Sequence, residues 1–365
     1  MRVLVVGAGI AGLGTTRALQ QVGIECDLVE RRADLGDEGL GIYLPANAIR
    51  AMRLLGIDTS SVHRGAVIDR QRFLDHRGRL LLQVDLATVW GTDDRCVAMS
   101  RAALHQALRD GLEQSIQMGT NVAELRVVGD QVDVQFADRT SRSYDLVIGA
   151  DGVHSGVRKL MLGDADDGVV RPIGQMAWRF VTECPEQVTT WSVMLGHRSS
   201  FLTIPIGGGL VYCYADVSGQ EREAVDVASQ FEAYDDPVSE ILAALDGVKV
   251  HRSPIEEVVL DSWRNGRVLL VGDAAHATSP NMAQGAAMAM EDALVLARCL
   301  TEASDVDAGL ARFQQHRRPR TDWVRDQTHL RDRTRNLPPF IRNAALKIAG
   351  QRIFRGNYAP LVPLP

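Results

Sequence analysis

The residues of this chain best suited to chemistry are glycines and acids held at fixed distances from apolar runs. Gly7-Ala-Gly9-Ile-Ala11-Gly12 follows the run Arg2-Val-Leu-Val-Val and opens an alanine-rich stretch. At that spacing Gly7 permits a tight turn, Gly9 lets backbone approach a pyrophosphate, and Gly12 lets a helix pack closely on a strand. The helix N-terminus adds unpaired N–H groups and the positive end of its dipole. Glu30 closes the next apolar run, Ile24–Glu30. A carboxylate there accepts hydrogen bonds from a ribose diol and repels a 2′-phosphate. A surface turn with a stray acid would leave the order strand, loop, helix, strand, acid unexplained, so the segment reads as a dinucleotide site.

Two later segments place an acid and a glycine directly after a buried run. The first is Asp145-Leu-Val-Ile-Gly-Ala-Asp151-Gly152-Val-His-Ser155-Gly-Val-Arg158. The second is Gly272-Asp273-Ala-Ala-His276-Ala-Thr-Ser-Pro280-Asn-Met-Ala-Gln284-Gly285-Ala286-Ala287. A helix starting near Gln284–Gly285 would turn its free N–H groups and dipole toward a ligand carrying negative charge. The small residues Gly285, Ala286 and Ala287 would let a flat ring come close.

The three segments, in this order and at about this spacing, resemble those of the class A single-component FAD-dependent monooxygenases. These are the para-hydroxybenzoate, salicylate and urate hydroxylase-like proteins, and the likeness covers nearly the whole chain. It implies a Rossmann-like α/β FAD-binding domain with an inserted antiparallel sheet. It also implies FAD as cofactor, NADPH or NADH as transient co-substrate, and O2 as the oxidant. Oxygen would reach a small aromatic or natural-product substrate, by hydroxylation or epoxidation, through a flavin C4a-hydroperoxide.

Carried onto this sequence, the resemblance assigns Gly7, Gly9, Ala11 and Gly12 to the pyrophosphate and Glu30, with Arg31 beside it, to the ribose. Arg101 would contact the flavin side, and Val122 would meet the adenine through its backbone. Asp151 would serve both FAD and the nicotinamide reductant, and Asp273 the ribityl or pyrophosphate region. Gln284, Gly285 and Ala286 would approach the flavin, and the stretch 39–47 resembles the family's flavin-side loop. The family usually has glycine before the glutamine; here the residue is Ala283, and alanine tolerates positive φ poorly.

Oxygen transfer needs a dry pocket and an electron-rich substrate. On the run Leu210–Ala215, Tyr212 and Tyr214 share one face because strand side chains alternate. Counting from Pro205, Tyr212 falls where the urate hydroxylases carry a pocket tyrosine. Their arginine five residues before that proline is replaced here by Ser200, which counts against urate. Arg198, two residues earlier, lies on the same side of an ideal strand, and His197 is a candidate base. The alternatives are plain sheet packing for Tyr212 and an exposed turn beside Gly196 for His197 and Arg198. Arg179 faces either the pocket or the sheet surface, Trp178 belongs to the core, and Trp90 and Met194 are further cavity candidates. His276 reads as structural. An FAD-dependent dehydrogenase, oxidase or reductase without oxygen insertion remains the alternative function.

These residues must be positioned by a βαβ unit at the start of the chain. A helix is expected over Asn47–Leu55 and another over Arg101–Glu113. Short β-rich runs from Gly174 to Val217, joined by strands within Arg70–Val84, suggest a sheet laid over the nucleotide domain. The expected division is a discontinuous FAD-binding domain (1–69, 97–168 and 265–335), a β-sheet substrate domain (70–96 and 169–264) and a C-terminal helix and tail (336–365). The basic, amphipathic segment after Arg335 is expected to pack on the protein rather than touch a membrane.

The net charge of −6 argues against a nucleic-acid partner, and the nine histidines and five cysteines are scattered without metal-ligand or disulfide spacing. No apolar run spans a bilayer, and Met1 is followed at once by a strand, so a cytoplasmic protein is expected. The oligomeric state is left open.

Overall fold

The computed structural model describes residues 1–34, 39–58, 65–112, 115–219 and 226–365. In strand Arg2–Val6 the residues from Val3 onward are apolar and buried on both faces, as a central parallel strand must be. It lies between Glu25–Val29 and Leu146–Gly149 in a six-stranded sheet, with Val3 beside both Cys26 and Leu146. Val268–Leu270 and Arg264–Asn265 extend one side of that sheet and Ile116–Gln117 the other. Helices Ile10–Gln21 and Gly285–Glu302 pack on each other against it.

The apolar run around Tyr144 divides between two sheets. Ser141–Tyr144 closes a three-stranded meander with Gln131–Phe136 and Val122–Val128, and after Asp145 the chain enters the parallel sheet. The flavin-side stretch contains a strand, Gly41–Leu44, paired with Cys96–Ser100, and then helix Ala46–Leu54. The helix expected over Arg101–Glu113 runs Arg101–Arg109, and Glu113 lies outside the described residues.

The second large sheet has seven strands, in the order His251–Val258, Val170–Glu183, Leu210–Ser218, Ser199–Gly207, Trp191–Leu195, Arg70–Asp75 and Leu80–Asp85. Its far face packs Phe180, Phe201 and Cys213 against Phe231 and Ile241 in a separate apolar core. Trp178 lies in that core, as does Met194, which therefore faces away from the cavity. Trp90 is buried against Tyr358, 5.4 Å between ring centroids, instead of lining the cavity. Helix Val306–Arg335 leads to helix Pro339–Tyr358, which packs on the sheet edge. Gly350 permits this approach, because a Cβ there would come within 2.7 Å of Leu82.

Candidate cofactor and substrate site

The first glycine loop needs each of its glycines for a different reason. Gly7 has φ +103°, and its N–H donates to the Val29 carbonyl at 2.8 Å. A Cβ on Gly12 would lie 1.8 Å from the Gly7 carbonyl oxygen, so Gly12 is a packing residue under the loop and does not line the cavity. Gly9 has ordinary φ (−79°), and a Cβ there would meet nothing within 4 Å. Its bareness therefore serves the cavity rather than the fold. No side chain caps the helix that begins at Ile10, so its first N–H groups are left for a ligand.

Glu30 lines the cavity while accepting from the Ala8 and Arg32 N–H groups, each at 2.9 Å. It orders the glycine loop from one side, and His105 does so from the other, with Nε2 2.7 Å from the Ala8 carbonyl. Burial lowers the His105 pKa, so the ring is neutral at pH 7 and donates to that carbonyl. No motif marks His105; it comes from a helix 97 residues further along the chain.

In the second segment the Asp151 carboxylate is engaged internally. It accepts from the Gly156 N–H at 2.7 Å, the Val157 N–H at 3.1 Å and the Ser155 hydroxyl, capping the helix Gly156–Leu162. Its contribution to the cavity wall accompanies that capping role. Arg158 is fully buried and donates to Asp166 at 2.7 Å and to the Ala274 carbonyl at 3.1 Å. The arginine that ends the second segment thus braces the third.

The third segment rests on a buried ionic network. Asp292 accepts from the Gly272 N–H at 2.9 Å and from Arg317 at 2.7 Å, and lies 2.7 Å from His276 Nε2. Burial alone would raise its pKa, but His276 and Arg317 outweigh that and hold it at about 2. Glu291 binds Arg317, Arg320 and Asn47, and Asn47 also donates to Gln284 Oε1 at 3.0 Å. Gln284 is consequently buried in this network behind the cavity rather than on its wall. Asp273 is exposed toward the cavity, with Gly285 and Ala286 beside it. Ala283 adopts φ +52°, ψ +38°, the left-handed conformation in which an alanine is strained.

A cavity of about 1490 Å³ joins these segments to the second sheet. Ala11, Arg31 and Arg101 line it, whereas the wall near Val122 is made by Thr120 and Asn121, with Val122 buried behind them. Sheet register builds the floor. His251, Arg179 and Tyr214 stand side by side on adjacent strands. The same row continues through Leu202, Val193 and Phe73, so the floor grades from polar to apolar. Tyr212 and Ile204 form the neighbouring row, while Asp216 and Ser200 flank Tyr214 and Leu202 on the other side.

Tyr212 lies so close to the flavin-side strand that a Cβ on Gly41 would come within 2.3 Å of it. Burial pushes its phenol up to about 12, so at neutral pH Tyr212 is a hydrogen-bond donor rather than a phenolate base. Arg179 stacks over Tyr214 at 5.4 Å and donates to Ser253 at 2.7 Å. Asp216, whose pKa is raised by burial against the opposing pull of Arg335, accepts from Arg335 and, at 3.0 Å, from Ser200. His197 and Arg198 are exposed in the hairpin turn beside Gly196 and do not line the cavity. Arg198 has φ +57°, and the turn breaks the alternation that would have aimed it inward.

The residues present fit a dinucleotide bound through its phosphates: a bare Gly9, an uncapped helix N-terminus, and a cavity larger than the roughly 300–1,000 Å³ of ordinary ligand pockets. These features, with the graded sheet floor facing them, define a dinucleotide-binding α/β protein whose cofactor cleft opens onto a second, antiparallel sheet. A model of the FAD binding domain family matches residues 1–328, and the chain belongs to that family. The 2-heptyl-3-hydroxy-4(1H)-quinolone synthase of Pseudomonas aeruginosa is 33% identical, over 98% of this chain and 98% of that protein. The FAD-dependent urate hydroxylase of Klebsiella pneumoniae is 32% identical, over 89% of this chain and 87% of that protein. The crystal structure of Klebsiella pneumoniae HpxO complexed with FAD and uric acid is 29% identical and superposes with a TM-score of 0.81, over 99% of this chain and 92% of that one. The chain is an FAD-dependent monooxygenase.

Proposed function

We propose that the protein hydroxylates a small aromatic or heteroaromatic substrate lying on the floor of the second sheet, with NAD(P)H as reductant and O2 as oxygen donor. FAD, when bound, stores the electrons and activates the oxygen. Gly7, Gly9 and the helix N-terminus at Ile10 would hold its pyrophosphate, Glu30 and Arg31 its ribose end, and Asp273, Gly285 and Ala286 its flavin side. The observation carrying this reading is the shared cavity: the glycine loop opens into the same space as Tyr212, Tyr214 and Arg179.

Tyr212 would donate a hydrogen bond to an oxygen or nitrogen of the substrate, and Arg179 would favour the electron-rich form of the ring. Phe73, Val193 and Leu202 exclude water at the apolar end. The charge of Arg335 is already matched by Asp216, and Ser200 adds no cation. Arg179, held by Ser253 and Tyr214, is therefore a cation this floor turns toward a substrate ring, and it suits one that ionises to an electron-rich form. The division of the chain into a discontinuous FAD domain and a sheet domain, and action in the cytoplasm, belong to the same reading.

The test is substrate-stimulated NAD(P)H oxidation across phenols, quinolones and purines. With a substrate in hand, Tyr212→Phe should still bind FAD and accept reducing equivalents, but release more hydrogen peroxide and less product. A positioned proton-transfer or hydrogen-bonding group contributes roughly 10²–10⁴-fold. Wild-type coupling in the variant would make Tyr212 a packing residue.

A further inference from the structure

The helix Pro339–Tyr358 carries bulky apolar residues on two faces. Its inner face gives Leu346, Ile353 and Phe354 to the cavity wall. Its outer face leaves Phe340 76% exposed, Ile348 86% and Ile341 44%. With 3.6 residues per turn, positions 340, 341, 344 and 348 form one continuous strip, and exposed Leu337 extends it at the helix entry. Single exposed apolar residues are ordinary, but a helix apolar on both faces is one that packs on both.

Charge is the second observation. From residue 333 to 365 the chain contains six Lys and Arg and no Asp or Glu, within a protein of net charge −6. Arg335 and Arg342 are buried, on Asp216 and on the Leu195 and Gly196 carbonyls. Arg333, Lys347, Arg352 and Arg355 are exposed. The apolar strip therefore sits among cations on an otherwise acidic molecule.

We propose that this outer face docks on an anionic lipid surface, with Phe340, Ile341 and Ile348 entering the acyl boundary and Lys347, Arg352 and Arg355 at headgroup level. A second copy of the chain is a poor occupant, because a two-fold contact through this strip would set Lys347 and Arg352 against their own kind. An acidic protein groove would satisfy the same cations, and failure to bind anionic vesicles would point to such a groove instead. No helix among the described residues is long and apolar enough to cross a membrane, so the contact is peripheral and reversible. Docking puts the helix that walls the cavity at the lipid surface.

Each cation near such a surface is worth roughly fivefold in partitioning, and each bulky apolar side chain that inserts roughly tenfold. The experiment is cosedimentation of the holoenzyme with vesicles of phosphatidylcholine alone or mixed with phosphatidylglycerol. Binding is expected only to the anionic vesicles, with release at about 0.5 M salt, where surface charge is screened within a few ångströms. Phe340→Ser with Ile348→Ser, and separately Lys347→Glu with Arg352→Glu, should each weaken binding at least about twentyfold while FAD content stays at the wild-type level. No binding to anionic vesicles at low salt overturns the proposal. So does binding that survives both pairs of substitutions, or a dimer in light scattering that the Phe340→Ser, Ile348→Ser variant dissolves.

Discussion

Asp292 offers a prediction whose size follows from its surroundings. It is fully buried, joined to Arg317, His276 and the Gly272 N–H, and stands directly behind the Gly272-Asp273 corner. Its pKa is about 2, against an ordinary 3.8. A folded-state pKa below the unfolded one stabilises the protein above the unfolded value, and that stability disappears as pH falls through the folded value. The difference corresponds to about 2 kcal/mol, fully present above pH ~5 and lost progressively between about pH 4 and 2. Asp292→Asn removes this contribution and leaves Arg317 short of a counter-charge, so a loss of roughly 2–4 kcal/mol is expected at pH 7. Urea midpoints of wild type and variant, compared at equal FAD saturation, measure it. FAD affinity should fall as well, because the Gly272 corner loses its anchor. The gap between the two proteins should narrow as pH is lowered from 4 toward 2. A variant within about 0.5 kcal/mol of wild type at pH 7, or a gap that does not change with acid, would refute the reasoning.

Gly9 and Gly12 should respond differently to substitution. Gly9→Leu should fold with wild-type circular dichroism but bind FAD about a hundredfold more weakly, roughly 3 kcal/mol, because its side chain enters the cavity. Gly12→Ala should lose both fold and cofactor, and tight FAD binding by either variant, measured by fluorescence titration, would contradict the assignment. Ala283→Gly should stabilise the protein by up to about 1 kcal/mol, since relief of a left-handed alanine, roughly 1–2 kcal/mol, exceeds the chain entropy glycine adds, about 0.5–1 kcal/mol. A lower thermal midpoint for that variant at saturating FAD would show that the loop needs its alanine.

The three motifs were legible in the sequence because backbone geometry there admits few residue types. Only glycine accommodates φ +103° at position 7 or a carbonyl 1.8 Å away at position 12. The pairing of Tyr212 with Tyr214 was legible too, since strand alternation is local. His105 was not, because its partner is a backbone carbonyl brought near only by the packing of a distant helix. The same holds for Arg335, whose tie to Asp216 joins residues 119 apart. For His197 and Arg198 the sequence left two readings, a cavity wall or an exposed turn beside Gly196, and the structure has the turn, where the alternation extended to Arg198 ends. Asp151 and Gln284 illustrate a further limit: Asp151 reaches the cavity wall but gives its carboxylate to a helix cap, and Gln284 lies behind the wall, held by Asn47.

The central claim is oxygen insertion by an FAD enzyme, and the source of the product's new oxygen tests it most directly. With a turned-over aromatic substrate, the reaction is run under ¹⁸O2 in ordinary water and the product is weighed. One labelled oxygen atom per product molecule is the expected result. A product whose new oxygen comes from water, or an oxidised product with no new oxygen, would mark a dehydrogenase or oxidase on the same fold and contradict the account.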